Sequence, residues 1–289
     1  LQGILSAMIR RAPHTVPPNA PRSAVVTGAA RGIGEAIARE LVGRGYRVLV
    51  TDLDETQAKE TAERIGAAGG AAYDVTDPAA ARDVAARARE IAPLGAWVSN
   101  AGVGFDGTVA GIADDQLRAL VEINMMGPLW GARAAIETFR AQAADGVRGG
   151  EIGVTVSLSA LGPVPGLSVY AASKAGALSA VSGLASEVLR EGIRVHAVNP
   201  DGVNTELLRS MEPGGQGQAL VRSGTLVTPE QVANGLVGMF GTSRVYRTIP
   251  AWRGAILRLT GLAPGPVLRM EPAMRALGAR KARSLRAPH

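Results

Sequence analysis

The order of predicted strands and helices constrains the fold of this chain more than any other feature. From Arg22 onward, short apolar runs rich in β-branched residues alternate with stretches of helical periodicity. The predicted strands are SAVVTG, RVLVTDLD, AAYDVTD, WVSNAG, EIGVTVSL and IRVHAVNP. Intervening helices of roughly 10–15 residues favour parallel pairing with right-handed crossovers. The sequence therefore predicts an α/β fold with one doubly wound domain, in which helices flank a parallel sheet.

The predicted helices and the two ends divide the chain into three parts. Helices are predicted in GIGEAIARELVGRG, ETQAKETAERIGAAG and PAAARDVAARAREIA, around residues 114–141, and from about Tyr170 to Arg190. Residues 1–22 are rich in proline and are predicted to form an irregular N-terminal arm. Neither a repeat nor a linker interrupts residues 23–243, which we assign to a single domain, and residues 244–289 form a basic C-terminal extension.

The distribution of charge matters more than its total. The formal net charge of the 289-residue chain is +6. Residues 244–289 hold ten Arg or Lys and one acid, and residues 1–22 hold three Arg and no acid. Residues 23–243 hold 18 bases against 24 acids, so the body of the protein is acidic. For this reason we do not expect nucleic acid as a partner, and an aromatic content of 3% also argues against base-stacking platforms.

The amino-acid composition excludes several kinds of functional site. Cysteine is absent, which excludes disulfide frameworks, thiolate metal sites and cysteine nucleophiles. The three histidines, His14, His196 and His289, are far apart in sequence, so no metal site is predicted. No window reaches about 18 uninterrupted apolar residues, and the first residues lack the pattern of an export signal. We expect a cytoplasmic protein without a transmembrane segment.

The basic extension leaves two interpretations open. Its apolar residues Trp252, Ile256, Leu257, Leu259 and Leu262 stand among arginines. Such a segment can dock on the acidic body, or it can contact a membrane surface as a peripheral element. The charge distribution favours docking on the body.

A glycine-rich turn joins the first predicted strand to the first predicted helix. The segment TGAARGIG, residues 27–34, places Gly28 for a tight turn, Gly32 for close approach of the backbone to a phosphate, and Gly34 for helix packing. Asp52 follows 24 residues after Gly28, at the end of the second strand. A carboxylate there can accept both ribose hydroxyls of an adenosine and would repel a 2′-phosphate. NAD is therefore favoured over NADP, although Arg31 could reach a 2′-phosphate.

Several further motifs, in order, give the chain a family resemblance. They are Asp74-Val75, SNAG at residues 99–102, Asn124, Ser157, YAASK at residues 170–174 and PDGVNT at residues 200–205. With the glycine turn, they resemble the classical short-chain dehydrogenase/reductase family over roughly residues 23–243, which implies a Rossmann-type dinucleotide-binding and catalytic domain. The chain departs from the family at Ser99, where a second Asn is usual, and at Asp201, which separates Pro200 from Gly202.

The resemblance implies a cofactor site that extends along one edge of the sheet. In the family, the acid of the Asp-Val pair contacts the adenine, the Asn-Ala-Gly turn closes over the adenine ribose, and the segment after the sixth strand touches the carboxamide. The cofactor-binding residues implied here are Thr27, Gly28, Arg31, Gly32, Ile33, Gly34, Asp52, Leu53, Asp74, Val75, Asn100, Ala101, Gly102, Tyr170, Lys174, Pro200, Gly202, Val203 and Thr205.

Tyr170 and Lys174 are four residues apart and therefore share one face of a helix. An adjacent ammonium group lowers the pKa of a phenol, so we expect Tyr170 to exchange the proton while Lys174 also holds the nicotinamide ribose. By resemblance, Ser157 donates a hydrogen bond to the substrate oxygen, and Asn124 organises a water that links Lys174 to solvent. Ser159 lies two residues further on and is the alternative to Ser157.

The predicted function is hydride transfer between a nicotinamide cofactor and a secondary alcohol or ketone. Leu207, Leu208, Met211 and Leu220 lie where the family carries a substrate lid and indicate a hydrophobic substrate. Family enzymes are commonly homodimers or homotetramers through the helices around residues 114–141 and 171–190, and we expect the same here. The alternative is a catalytically silent protein that binds a dinucleotide and serves as a regulator or scaffold.

Overall fold

The computed structural model describes residues 21–164, 166–203, 226–262 and 265. Within them, a seven-stranded parallel sheet has the order β3-β2-β1-β4-β5-β6-β7. The strands are β1 (Ser23–Thr27), β2 (Arg47–Asp52), β3 (Gly69–Ala72), β4 (Leu94–Ser99), β5 (Gly150–Thr155), β6 (Ile193–Pro200) and β7 (Tyr246–Ile249). The predicted α/β fold with a parallel sheet is confirmed.

Helices cover both faces of this sheet. They are α1 (Gly32–Gly43), α2 (Glu55–Ile65), α3 (Pro78–Ile91), α4 (Asp114–Val121), α5 (Gly127–Ala144), α6 (Ser168–Glu187), α7 (Pro229–Val237) and α8 (Ala251–Leu262). One core holds Trp97, Phe139 and Val181 under α3, α5 and α6. The other holds Val26, Leu41 and Leu236 under α1, α2 and α7. None of the helices in the described part of the chain is long and apolar enough to cross a membrane.

Side-chain caps and glycines explain where several helices begin and end. Asp54 accepts a hydrogen bond from the backbone of Gln57 and begins α2, and Asp77 begins α3 in the same way with Pro78 in the first turn. Gly66, with φ of 71°, ends α2 in a left-handed conformation. The sequence placed the end of this helix three residues later, at Gly69, because it offered glycines at both positions.

The third strand was predicted at residues 71–77 and instead occupies Gly69–Ala72. Asp74 accepts hydrogen bonds from the backbone and hydroxyl of Thr76, and this local turn ends strand pairing. Gly70 is required because α2 crosses close to the strand at this position. A Cβ atom on Gly70 would lie 2.4 Å from the backbone nitrogen of Lys59.

The helix predicted around residues 114–141 is interrupted. A π-helical turn, Glu122–Met126, separates α4 from α5 and carries Asn124. Such turns insert an extra residue into a helix and are frequent at functional sites. The sequence indicated one continuous helix over residues 114–141 and did not indicate this turn.

The sheet continues into the segment that the sequence assigned to the basic extension. Strand β7 pairs with β6 from Ala197↔Tyr246 to Pro200↔Ile249, and α8 follows it. A boundary at residue 243 therefore cuts off one strand. Tyr246 and Arg247 of β7 are exposed, which is typical of an edge strand. Because the strand is short and stands among basic residues, the sequence pattern did not indicate it. In α8, Leu257 packs near Gly162, whereas Trp252, Ile256 and Leu259 are exposed.

Candidate active site

The strand order reverses between β1 and β4, and the carboxyl ends of these strands form the crevice where doubly wound sheets bind ligands. The glycine turn lies in this crevice. Gly28 and Gly32 have φ of 59° and 61°, which glycine adopts without strain. A Cβ atom on Gly34 would lie 2.1 Å from the carbonyl oxygen of Gly28. The turn can therefore pack against the first turn of α1 only with glycine at position 34.

The end of β4 locks this turn in place. Asn100 Nδ2 donates to the carbonyl oxygens of Thr27 at 3.1 Å and Gly28 at 3.0 Å. The backbone nitrogens of Asn100 and Ala101 both donate to Thr27 Oγ1 at 3.0 Å. Ser99, where a second Asn is usual in the family, is instead turned toward Trp97 and accepts from its indole nitrogen at 3.2 Å. The side chains of Asn100 and Thr27 therefore join the two strand ends.

Asp52 lies at the carboxyl end of β2, beside the glycine turn. Its Oδ2 accepts from the backbone of Ala30 at 3.1 Å, and its Oδ1 accepts from the backbone of Leu53 at 2.9 Å. These bonds hold the carboxylate still while leaving acceptor lone pairs on both oxygens. Leu53 is 71% exposed beside it. Arg31 extends over the same edge, where its Nη1 lies 3.4 Å from Gln57 Oε1.

Asp74 and Val75 follow β3 and border the same crevice. The Thr76 hydroxyl donates a hydrogen bond to Asp74 Oδ1 at 2.7 Å and fixes this carboxylate. Val75 is buried and packs against the start of α5, since a Cβ atom on Gly127 would lie 3.0 Å from its Cγ2. The structure thus places this pair between the third strand and the helix that follows the π-helical turn.

Tyr170 and Lys174 lie on the same face of α6 at the other side of the crevice. Lys174 Nζ lies 5.9 Å from the centre of the Tyr170 ring and donates to the carbonyl oxygen of Thr155 at 3.3 Å. Lys174 is only 5% exposed, and burial lowers its pKa to about 8. Among the described residues the only other lysine is Lys59, which pairs with Glu55 on α2.

The sequence predicted that the ammonium group would lower the pKa of Tyr170, and the structure differs. Burial raises the pKa of the Tyr170 phenol, and a hydrogen bond with Ser157 opposes the rise. The reason is that the phenol is desolvated among apolar groups, while Lys174 lies beside the ring and is itself buried. Near neutral pH, Tyr170 therefore holds its proton and can donate it.

The two candidate serines stand in different positions. Ser157 is the residue that hydrogen-bonds Tyr170. Ser159 supports it, because its backbone nitrogen and its hydroxyl donate to Ser157 Oγ at 3.2 and 2.9 Å. Both bonds belong to the start of the 3₁₀ turn Leu158–Leu161, which Ser157 caps. The hydrogen bond with the phenol is therefore made by Ser157, and Ser159 contacts Ser157.

Asn124 is fully buried in the π-helical turn behind this cluster. Its amide makes a paired contact with the backbone of Val103, 2.9 Å in each direction, and also reaches Ser173 Oγ at 3.3 Å. A Cβ atom on Gly102 would lie 3.0 Å from Asn124 Oδ1 and 3.2 Å from Lys174 Nζ. Glycine at 102 therefore keeps the space in front of the lysine clear.

The segment after β6 forms the remaining wall. The backbone nitrogen of Asp201 donates to the carbonyl oxygen of Ile249 at 2.8 Å, and Gly202 accepts from Val227 at 2.9 Å. Val203 forms an isolated bridge with Val227. Thr205 lies outside the described residues, as do Leu207, Leu208, Met211 and Leu220 of the predicted lid.

Four residues at the site were not predicted. Thr155 accepts from Lys174, and Ser173 joins Asn124 to the carbonyl oxygen of Tyr170, which it reaches at 2.8 Å. Asn199 is fully buried beside Pro200, and its amide has no hydrogen-bond partner among the described residues. Arg253 pairs with Asp201. Of these four, only Ser173 could have been found from the sequence, since it lies within the YAASK motif, directly before Lys174.

The residues fit a dinucleotide. The first turn of α1 has no side-chain cap, so its backbone N–H groups are available to an anion such as a pyrophosphate. A Cβ atom on Gly28 would lie 2.7 Å from Ala101, and the clear space beside Gly102 leads to Lys174. Among the described residues, no group of three His, Asp or Glu side chains could hold a metal ion.

Comparison with known proteins agrees with this geometry. A family model described as short chain dehydrogenase matches residues 22–215. The 3-oxoacyl-(acyl-carrier-protein) reductase FabG of Salmonella typhimurium is 32% identical over 231 residues, which cover 78% of this chain and 92% of that protein. The 3-ketoacyl-(acyl-carrier-protein) reductase of Brucella melitensis, solved with NADH, superposes with a TM-score of 0.70 at 26% identity and covers 79% of this chain and 96% of that one.

A fourth comparison bears on the fold alone. A short-chain dehydrogenase/reductase from Burkholderia phymatum, solved with NAD, has a TM-score of 0.75 at 23% identity, with coverage of 84% of this chain and 94% of that one. The fold and these relatives define the class first: an oxidoreductase that uses a nicotinamide dinucleotide. Within that class, the chain belongs to the short-chain dehydrogenase/reductase family.

Proposed function

We propose that this protein reduces a ketone to a secondary alcohol, or oxidises the alcohol, with Tyr170, Ser157, Lys174 and Asn124 as its site. The observation that carries the proposal is the grouping of Ser157 and Lys174 about the Tyr170 phenol, at the carboxyl edge of the sheet. This grouping combines a proton donor, a hydroxyl beside it and a buried ammonium group.

Each side chain has a separate task. In ketone reduction, Tyr170 donates its proton to the substrate oxygen, and Ser157 donates a hydrogen bond to the same oxygen. Ser159 holds Ser157 in place through the bonds it donates to Ser157 Oγ. A nicotinamide dinucleotide, if bound in the crevice, would supply or accept the hydride. A low pKa allows Lys174 to share a proton near neutral pH, and Asn124 fixes the backbone beside it.

We propose NAD as the preferred cofactor. Support comes from Asp52, whose carboxylate is fixed by two backbone bonds at the end of β2 and would repel a 2′-phosphate. Arg31 lies on the same edge and contacts Gln57, and its positive charge would offset part of that repulsion. Relatives solved with NADH and with NAD are consistent with this choice, and a polyketide ketoreductase solved with NADPH shows that the fold accepts both.

The substrate that we propose is hydrophobic. A groove opens next to the serine turn, and its lining is mostly small and apolar. The apolar lining residues are Ala160, Leu161, Pro163, Ala171, Ala172 and Ala175. No charged side chain contributes to this lining, so an apolar group adjacent to the carbonyl would bury its surface there.

We also propose a homodimer or homotetramer. The outer side of α6 exposes small residues, among them Ser179, Ser182 and Gly183, which allow a second helix to approach closely. Light scattering at micromolar concentration tests this, and a monomer would contradict it.

One screen tests the proposed activity. Purified protein is mixed with NADH or NADPH and a panel of aliphatic, aromatic and cyclic ketones, and absorbance of the reduced cofactor is followed. We expect turnover of apolar ketones with NADH at a higher kcat/KM than with NADPH. Cofactor binding without turnover of any ketone or alcohol would instead support the silent regulator or scaffold.

A further inference from the structure

A buried carboxylate follows β6 where the sequence departs from its family. Asp201 separates Pro200 from Gly202, and its side chain is only 7% exposed. Burial of an ionised carboxylate is costly unless a partner compensates. Burial raises the pKa of Asp201, while the backbone N–H of Gly202 and the guanidinium of Arg253 oppose that rise.

Arg253 is the charged partner of this carboxylate. It projects from the first turn of α8, and its Nη1 lies 2.7 Å from Asp201 Oδ2. Its side chain is 23% exposed, so the pair is largely shielded from solvent. The backbone of Asp201 is held by the same region, because its nitrogen donates to Ile249 at the end of β7. Two contacts, the ion pair and the backbone hydrogen bond, therefore connect the end of β6 to the β7–α8 junction.

The same helix contacts the turn that carries Ser157. A Cβ atom on Gly162 would lie 2.9 Å from the carbonyl oxygen of Leu257 and 3.3 Å from Thr260 Oγ1. These α8 residues follow Arg253 by one to two helical turns. Helix α8 therefore spans from the segment after β6 to the end of the serine turn, which are two walls of the same site.

We propose that Arg253 and Asp201 are a positioning pair that fixes α8 between the segment after β6 and the serine turn that lines the substrate groove, and thereby determines how tightly the substrate binds. The inference rests on the proposed function. Neither residue contacts the reacting atoms. A helix held at one end by a shielded ion pair and at the other by packing against Gly162 cannot shift without changing the groove beside Ala160 and Leu161.

A double-mutant cycle with one conservative variant and one control tests the pair. The variants are Arg253→Gln, Asp201→Asn, the combination of both, and Arg253→Lys. Arg258→Gln is the matched control, because Arg258 lies on the same helix but stacks on Tyr246, 4.8 Å from the ring centre. Each is assayed for the KM and kcat of the best ketone of the panel, and for the Kd of NADH from fluorescence titration.

We expect each single variant to raise the ketone KM at least fivefold, with kcat and the NADH Kd within about threefold of wild type. The ketone KM of the double variant should be no higher than that of either single variant, since both substitutions remove the same ion pair. Arg253→Lys should recover most of the loss as a point charge, and Arg258→Gln should behave as wild type.

The double variant decides the question if a single variant fails to fold, because it leaves no unpaired buried charge. A ketone KM within twofold of wild type in Asp201→Asn/Arg253→Gln overturns the positioning role. So does strict additivity of the two single changes. Absence of turnover in the wild-type protein contradicts the proposed function itself, and is thereby distinguished from a failure of this inference.

Discussion

The buried ammonium group of Lys174 lies 5.9 Å from the centre of the Tyr170 ring, one helical turn away on α6. Burial moves the two pKa values in opposite directions relative to their ordinary ranges: that of Lys174 falls to about 8 and that of Tyr170 rises. In the proposed reduction the phenol gives its proton to the substrate oxygen, and the nearby Lys174 ammonium, with a pKa of about 8, can supply a proton to replace it. This relationship supports the proposed proton transfer and makes the stability of the protein depend on pH.

Replacement of Lys174 by Met should change how stability responds to pH. The folded wild-type protein releases the Lys174 proton near pH 8, whereas an unfolded chain releases it near 10.5. The unfolded state thus binds more protons between these values, and wild-type stability rises with pH there. We expect the stability of wild type relative to Lys174→Met to increase by about 3 kcal/mol from pH 7 to 10.5.

Urea unfolding at four pH values measures this difference, with Lys59→Met as the control. Lys59 is exposed on α2 and pairs with Glu55, so its replacement should change stability by less than about 0.5 kcal/mol at every pH. A difference between wild type and Lys174→Met that stays constant across the range would show that the lysine is not desolvated.

Replacement of the two serines should separate their tasks. Ser157→Ala removes the hydroxyl that faces Tyr170 and should lower kcat/KM by about 10²–10³-fold. Ser159→Ala removes only a donor to Ser157 and should lower kcat/KM by less than about tenfold, roughly the energy of one neutral hydrogen bond. Steady-state kinetics on both variants check this. The reverse order would assign the hydroxyl of the site to Ser159.

Replacement of Asp52 by Ser should shift cofactor preference. Without the carboxylate, NADPH loses a repulsion and NADH loses an acceptor for its ribose hydroxyls, so the ratio of their Kd values should shift by at least tenfold toward NADPH. Glu60→Gln serves as the control, because it removes an exposed charge of α2 without touching the glycine turn. Tighter binding of NADPH than NADH by the wild-type protein would contradict the assignment of NAD.

Replacement of Gly34 by Ala should disrupt the glycine turn. The added methyl group would meet Gly28 O at 2.1 Å and Asn100 Nδ2 at 2.6 Å, so the turn must move. We expect a loss of about 1–3 kcal/mol in stability and a rise of at least tenfold in the Kd of NADH. Gly43→Ala is the matched change at the other end of α1, where a Cβ atom meets nothing within 4 Å. Equal effects from both variants would show that the turn tolerates a side chain.

The sequence predicted the elements whose signals are local. The sequence predicted strands β1, β2, β5 and β6 from runs of β-branched residues. Tyr170 and Lys174 were predicted because they belong to one contiguous motif. Their grouping with Ser157 was implied by the resemblance to the short-chain dehydrogenase/reductase family, and not by any local pattern around the three residues.

The elements that were misplaced or missed depend on contacts between distant segments. Strand β3 needs glycine at position 70 because α2 crosses it there, and no local pattern shows that crossing. Strand β7 is short, partly exposed and followed by basic residues, so composition placed it outside the domain. Arg253 pairs with a residue 52 positions earlier, and nothing in its own surroundings along the sequence identifies that partner.

The most direct test of the central claim is the single-turnover rate of NADH oxidation by Tyr170→Phe. The enzyme is saturated with NADH, mixed with the ketone that the wild-type protein reduces fastest, and followed by stopped flow. Tyr246→Phe is the control, since Tyr246 is exposed on β7. We predict that Tyr170→Phe slows the reaction by about 10²–10⁴-fold while the control keeps the wild-type rate. A rate in Tyr170→Phe within tenfold of wild type would contradict the account.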